Sequence, residues 1–299
     1  MRDVALVGVP LDLGSGRRGT DMGPSAVRYA QLQAELESLG YRVTDLGNVS
    51  FPVVERLEEG DPRARYADAI VRVCEEVDRA VTAALRQGAL PVVLGGDHSL
   101  SLGSVAAVVR DRPETGLLWL DAHGDFNTPD TSPSGNVHGM VLACLLGLGL
   151  PSLVRVGGFG PKLVPQYCAL VGTRQLDPGE RELLRSSGVR VFTMKDVDRY
   201  GVGEVVQRAL DVVTDGGKRS LYVSLDMDVV DPAHAPGVAT PCAGGLSYRE
   251  VHLAMELVAD WGTLLGMDVV EINPILDAQN RTARLATELV ASALGKRIL

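Results

Sequence analysis

Helices on both faces of a mostly parallel sheet of about eight strands, in three αβα layers, are what this sequence predicts. Three observations carry the prediction. Apolar, β-branched bursts recur along the chain, and amphipathic stretches separate them. No composition shift, Ser/Pro-rich linker or internal repeat divides the 299 residues. Strands that alternate with helices pair in parallel through right-handed crossovers, and such sheets are covered on both faces. The whole chain, 1–299, reads as one doubly wound domain.

The elements follow in order. A first strand is expected at Val4–Val9, an unbroken apolar burst, and a helix over Pro24–Leu39. Gly23-Pro24 signals that helix, because proline suits a first helical turn. The strand at Arg42–Leu46 leads to a long amphipathic helix at Tyr66–Gln87. Strands at Pro91–Leu94 and Leu117–Leu120 flank a helix at Leu100–Arg110. After the strand at Ala169–Val171, Asp177-Pro178 announces a helix over Glu180–Ser186. Val189–Phe192 and Leu221–Leu225 are the next strands, with a helix at Val202–Asp215 between them. A helix at Tyr248–Ala259, a strand at Leu265–Val270 and a last helix at Ala283–Leu294 complete the pattern.

Composition narrows the function. A hydrophobic content of 45 % supports a large core, and a net charge of −9 without any basic stripe argues against nucleic acid as a partner. The first residues read as a strand rather than a secretory leader, and no apolar run is long enough to span a bilayer. Cys74, Cys144, Cys168 and Cys242 show no paired spacing, which fits reduced thiols in a cytoplasm.

In doubly wound sheets ligands bind beyond the carboxyl ends of the strands. Four polar clusters fall at that end: Gly95-Gly96-Asp97-His98, Asp121-Ala122-His123-Gly124-Asp125, Asp226-Met227-Asp228 and Glu271-Ile272-Asn273-Pro274. If strand alternation persists, 121, 123 and 125 share one direction, and so do 226 and 228. That many carboxylates together are too costly without a cation, so a metal site is expected. Mixed imidazole and carboxylate donors suit a hard ion such as Mn²⁺ rather than structural zinc. Six ligands, His98, Asp121, His123, Asp125, Asp226 and Asp228, exceed the needs of one open ion. Two ions sharing carboxylates would lower the pKa of a bridging water and make a hydroxide nucleophile, which points to hydrolysis.

Other residues follow from that centre. Gly95-Gly96 permits a sharp turn into His98, and Asp97 reads as a capping or supporting carboxylate. His138 follows the polar segment Asn127–Ser134 that leaves the metal cluster, where a histidine titrating near neutrality could shuttle protons. Glu271, closing a very apolar strand, needs either a protein arginine or a cationic substrate. His234 and His252 read as surface or packing residues. Gly14-Ser15-Gly16-Arg17-Arg18-Gly19 matches GxGxxG, yet the glycines do not open the helix and no acid ends a second strand at the usual interval. An oxidoreductase is therefore disfavoured.

With these residues in place the chain resembles the ureohydrolase family, and within it the arginases, over nearly its whole length. The motifs are Gly95–His98, Asp121–Asp125, Ser224–Pro232 and Met267–Pro274. Asp125-Phe126-Asn127-Thr128-Pro129 followed by Ser132–Gly139 carries the arginase resemblance specifically. The resemblance implies two Mn²⁺ per subunit, one on His98, Asp121, Asp125 and Asp226, the other on Asp121, His123, Asp226 and Asp228. It implies that Asn127, Ser134 and Asn136 bind the α-carboxylate of L-arginine. Asp177 and Glu180 would engage its ammonium side, and Glu271, with Thr240 nearby, its guanidinium. Asp125 would pass a proton to the leaving amine, and His138 would relay one to solvent. A homotrimer or homohexamer is also implied. Gln175 departs from the aspartate of animal arginases. Rival readings are an agmatinase, whose substrate lacks the α-carboxylate, and a non-catalytic metal-binding sensor.

Overall fold

The computed structural model describes residues 3–297. Its strands are β1 (Asp3–Val9), β2 (Arg42–Asn48), β3 (Leu90–Gly95), β4 (Thr115–Leu120), β5 (Cys168–Thr173), β6 (Arg190–Thr193), β7 (Ser220–Asp226) and β8 (Leu264–Val270). They form one sheet in the order β2-β1-β3-β8-β7-β4-β5-β6, and each strand pairing is parallel. The helices are α1 (Gly23–Tyr29), α2 (Leu32–Ser38), α3 (Ala67–Arg86), α4 (Ser101–Asp111), α5 (Val141–Leu145), α6 (Pro151–Val154), α7 (Pro178–Ser187), α8 (Met194–Tyr200), α9 (Val202–Thr214), α10 (Tyr248–Trp261) and α11 (Arg281–Ala293).

Alternating strand residues feed two cores, one on each face of the sheet. Leu6, Val92, Leu118, Leu225 and Met267 pack with Val27, Leu36, Val206, Met255 and Leu289 of α1, α2, α9, α10 and α11. Val7, Val93, Leu117, Trp119 and Tyr222 pack with Ile70, Val77, Val105 and Leu142 of α3, α4 and α5. β3, β4 and β5 are buried along their whole length, which is why they read as continuous apolar runs. β2 is a mostly exposed edge, so its sequence is polar.

The single helix expected over Pro24–Leu39 is in fact α1 and α2, broken at Gln31 with φ 66°. At roughly 100° per residue, an unbroken helix would carry Leu32 and Leu36 about 140–180° away from Val27. All three lie in the same core, so the axis must turn. The short helices α5, α6 and α8 escape periodicity, having too few turns to show a face.

Chain order places the site. The chain builds β1–β3 on one wing, crosses to β4–β6 on the other, and inserts β7 and β8 between β3 and β4. The four strands carrying the polar clusters thereby become neighbours at the centre of the sheet.

Candidate active site

Three of the four strand ends use the same local device. Asp97 Oδ1 accepts the N–H of Ser99 at 3.0 Å, Asp121 Oδ1 that of His123 at 2.6 Å, and Asp226 Oδ1 that of Asp228 at 2.8 Å. Each aspartate folds back on the amide two residues on, which turns the chain as it leaves the strand. Strand alternation therefore does not persist beyond the strand ends as expected. β4 stops at Leu120, β7 at Asp226, and Asp125 lies at φ 49°. The side chains converge through turns instead. Gly96 permits the closest of these, since a Cβ there would sit 2.5 Å from the Leu11 carbonyl oxygen.

Two donor clusters result, and Asp121 belongs to both. In the first, His98 Nδ1 lies 3.4 Å from Asp121 Oδ2 and 3.1 Å from both Asp125 Oδ2 and Asp226 Oδ2. In the second, His123 Nδ1 lies 3.0 Å from Asp228 Oδ2 and 3.4 Å from Asp121 Oδ1. The Ala122 N–H bonded to Asp228 Oδ1 at 3.1 Å joins the β4 and β7 ends, and Thr240 donates to Asp228 Oδ2 at 3.0 Å. Burial pushes the Asp125 carboxyl up to about 6, helped by the charge of Asp121. Asp226 is raised further by burial, Asp228 and Asp121. Burial opposes charge on His98, but Asp121, Asp125 and Asp226 hold its proton well above the usual range. A cation between these groups would relieve all three strains.

The other side of His98 decides its tautomer. Asp268, fully buried within β8, accepts from Ser101 Oγ and Ser104 Oγ at 2.8 Å, Tyr222 OH at 3.1 Å and Ser224 Oγ at 2.5 Å. Ser224 thus spends its hydrogen on Asp268 and can only accept from His98 Nε2, 2.7 Å away. The neutral ring then carries its lone pair on Nδ1, facing the carboxylates. Trp119 stacks on the ring at 4.0 Å and donates Nε1–H to Asp121 Oδ2 at 2.9 Å. Both clusters hold only imidazole and carboxylate donors, a set that fits a hard divalent ion.

A cleft of about 100 Å³ opens above the clusters. His123, Asp125 and Asp226 of the clusters form one part of its lining, and Asn127, Ser132, Ser134, Asn136, His138, Asp177, Glu180 and Thr240 line the rest. Asn127 gives Nδ2–H to Asp177 Oδ2 at 2.9 Å and accepts Thr131 Oγ1–H at 3.0 Å, so its amide is fixed with its carbonyl engaged. Asp177 precedes α7, and Glu180 takes the Asp177 N–H at 3.1 Å in a capping box and the Phe126 N–H at 2.9 Å. Burial raises Glu180 to about 7. Glu271 does not line the cleft. It is fully buried at φ 65°, and its Oε1 accepts the His98 N–H at 2.8 Å and meets His138 Nδ1 at 3.0 Å. Burial resists charge on His138, but Glu271 prevails and raises it to about 9. Glu271 Oε2 is buried with no partner among the described residues.

The Gly14–Gly19 loop is a brace: Gly14 N–H bonds Asp97 Oδ2 at 2.7 Å, and its carbonyl receives the His138 N–H at 3.2 Å. His252 packs on Ser292 at 3.1 Å, away from the site. Sequence reasoning missed Ser132, Asp268 and Arg174. An isolated aspartate within an apolar strand was the available sign for Asp268.

Together these features define a class: a doubly wound α/β protein with a paired His/Asp centre, suited to cations, at its central strand ends. Residues 2–295 match the model of the Arginase family, and the chain belongs to that family. It is similar to the arginase of Bacillus caldovelox, 45 % identical with all of both chains covered, and to that of Bacillus subtilis, 44 % identical over 100 % and 99 % of the two. The solved Bacillus caldovelox arginase covers both chains fully at a TM-score of 0.96 and 44 % identity. An Entamoeba histolytica arginase solved with L-ornithine matches at 0.89 and 29 %, covering 99 % and 100 %.

Proposed function

We propose that this chain is an arginase, which hydrolyses L-arginine to L-ornithine and urea with two Mn²⁺ per subunit. One observation carries the reading: a single cleft has Asp125 and Asp226 of the donor clusters on one side and, along the rest, the amides and hydroxyls of Asn127, Ser132, Ser134 and Asn136 beside the carboxyls of Asp177 and Glu180. That lining suits a substrate with a cationic guanidinium at one end and an α-carboxylate at the other. The relative solved with L-ornithine holds the expected product.

His98, Asp121, Asp125 and Asp226 would hold one ion, and Asp121, His123, Asp226 and Asp228 the other. When bound, such a pair acidifies water toward neutrality and supplies the nucleophile of hydrolysis. Asn127, Ser134 and Asn136 receive the α-carboxylate, and Asp177 and Glu180 lie toward the ammonium side, with Thr240 near the reacting end. Glu271, whose buried Oε2 has no partner among the described residues, would balance the positive charge of the guanidinium without itself lining the cleft. Asp125, which lines the cleft with its Oδ2 3.1 Å from His98 Nδ1, can accept a proton and deliver it to the leaving nitrogen. His138, protonated at neutral pH and partly open to the cleft, exchanges the remaining proton with solvent.

The deciding experiment measures urea released by the manganese-loaded protein from arginine and from agmatine. Release from arginine alone is expected. Equal or greater release from agmatine would replace the assignment with agmatinase, and no urea from either would favour a binding protein. We further propose a cytoplasmic homotrimer or homohexamer, which light scattering of the purified protein tests for assembly.

A further inference from the structure

Arg174 follows the end of β5 and takes no part in the chemistry above. Its guanidinium donates only to main-chain carbonyl oxygens: Nε to Ala243 at 3.2 Å, Nη1 to Gly172 and Val229 at 3.2 Å, and Nη2 to Asp228 and Cys242 at 2.7 Å. All five of its N–H donors find a use. Its own N–H and that of Gln175 bond the Ala122 carbonyl at 2.8 and 3.0 Å. One residue therefore joins three segments: the turn holding Asp121 and His123, the turn holding Asp228, and the loop that sends Thr240 onto Asp228 Oδ2 at 3.0 Å. Space for the fork is reserved by Gly245, where a Cβ would approach Nη2 to 2.6 Å.

We infer that Arg174 is the positioning residue of the second cluster, locking the Asp121–His123 and Asp228 turns at one separation. This rests on reading the clusters as cation sites. Asp121, His123 and Asp228 lie just past strand ends, where single bonds such as the Asp121 N–H on the Val171 carbonyl and the Ala122 N–H on Asp228 Oδ1, each at 3.1 Å, replace a ladder and do not fix the spacing alone. A metal ion tolerates ligand distances only within about 0.2 Å, so the spacing has to come from elsewhere. A planar fork with five fixed donors provides it, and lysine, with three rotatable donors on one atom, does not.

The test is Mn²⁺ titration of metal-stripped protein, with folding checked by thermal midpoint. Wild type is expected to bind two equivalents. Arg174→Lys should weaken one of them about 10–100-fold and leave the other unchanged. Added to Asp228→Ala, which removes that cluster's own ligand, Arg174→Lys should cause no further loss in the equivalent that remains. Equal weakening of both equivalents, weakening of neither, or an additive loss in the double variant overturns the inference. Should Arg174→Lys fail to fold, Thr240→Val cuts the loop's bond to Asp228, and it must weaken the same single equivalent or the inference falls. Two bound equivalents without urea from arginine would remove the proposed function and leave the role of Arg174 standing. A wild type that takes up no Mn²⁺ overturns both.

Discussion

The two donor clusters share Asp121 but are built from different parts of the fold. The first is almost fully buried, reaching the cleft through Asp125 and Asp226, and it is backed from inside the sheet by Ser224 and Tyr222 of β7, Asp268 of β8 and Trp119 of β4. Its orientation is inherited from strands that cannot shift register without disrupting the core. The second cluster stands on turns, its His123 side chain is 23 % exposed, and side-chain clamps from Arg174 and Thr240 hold it. Equivalent chemistry is thus supported once by regular structure and once by loops. Loops need added hydrogen bonds because they lack a ladder of their own.

The largest expected effect comes from the shared residue. Asp121→Ala should abolish urea release and lose both equivalents of Mn²⁺, as read by metal analysis after dialysis. Retention of either equivalent at full affinity would break the idea of a common ligand.

His138→Asn comes next, with turnover falling by about 10²–10⁴ while both equivalents remain bound. Loss of manganese would instead show that the link from His138 through Glu271 to the His98 N–H is structural.

Asp268→Asn sharpens the contrast directly. The amide would place a donor where four hydroxyls now donate, and the first equivalent should weaken about 10–100-fold without change in the second. This is the mirror image of the result expected for Arg174→Lys, and Mn²⁺ titration of both variants makes the comparison.

The smallest effect is a control remote from both clusters. Lys162 is buried with its ammonium on the Val154 and Phe159 carbonyls, and burial lowers its pKa from 10.5 to about 8. Between those values the unfolded chain binds more protons than the folded one, so this group's contribution raises stability as pH increases from 8 to 10.5. Urea midpoints across that range should rise more steeply in wild type than in Lys162→Met, whereas identical slopes would contradict the lowered value.

Much of the molecule was legible because burial on both faces leaves uninterrupted apolar runs, as in β3, β4 and β5, and because long helices such as α3 show a clear period. The acidic runs at strand ends announced a centre for the same reason: buried charge is too costly to be accidental. The break at Gln31 was not legible from local pattern, since it follows from which core Leu32 and Leu36 must reach.

By itself, the sequence determined the layer architecture, the end of the sheet that carries chemistry and the residue types that gather there, because these depend on local periodicity and on the cost of burying charge. Tertiary structure alone decided that Asp268 orients His98 and that Arg174 ties three separate turns together. Hydrogen bonds between residues 44 and 54 to 69 positions apart leave no local trace, and they exist only once β7, β8 and the loop after Thr240 have been brought side by side.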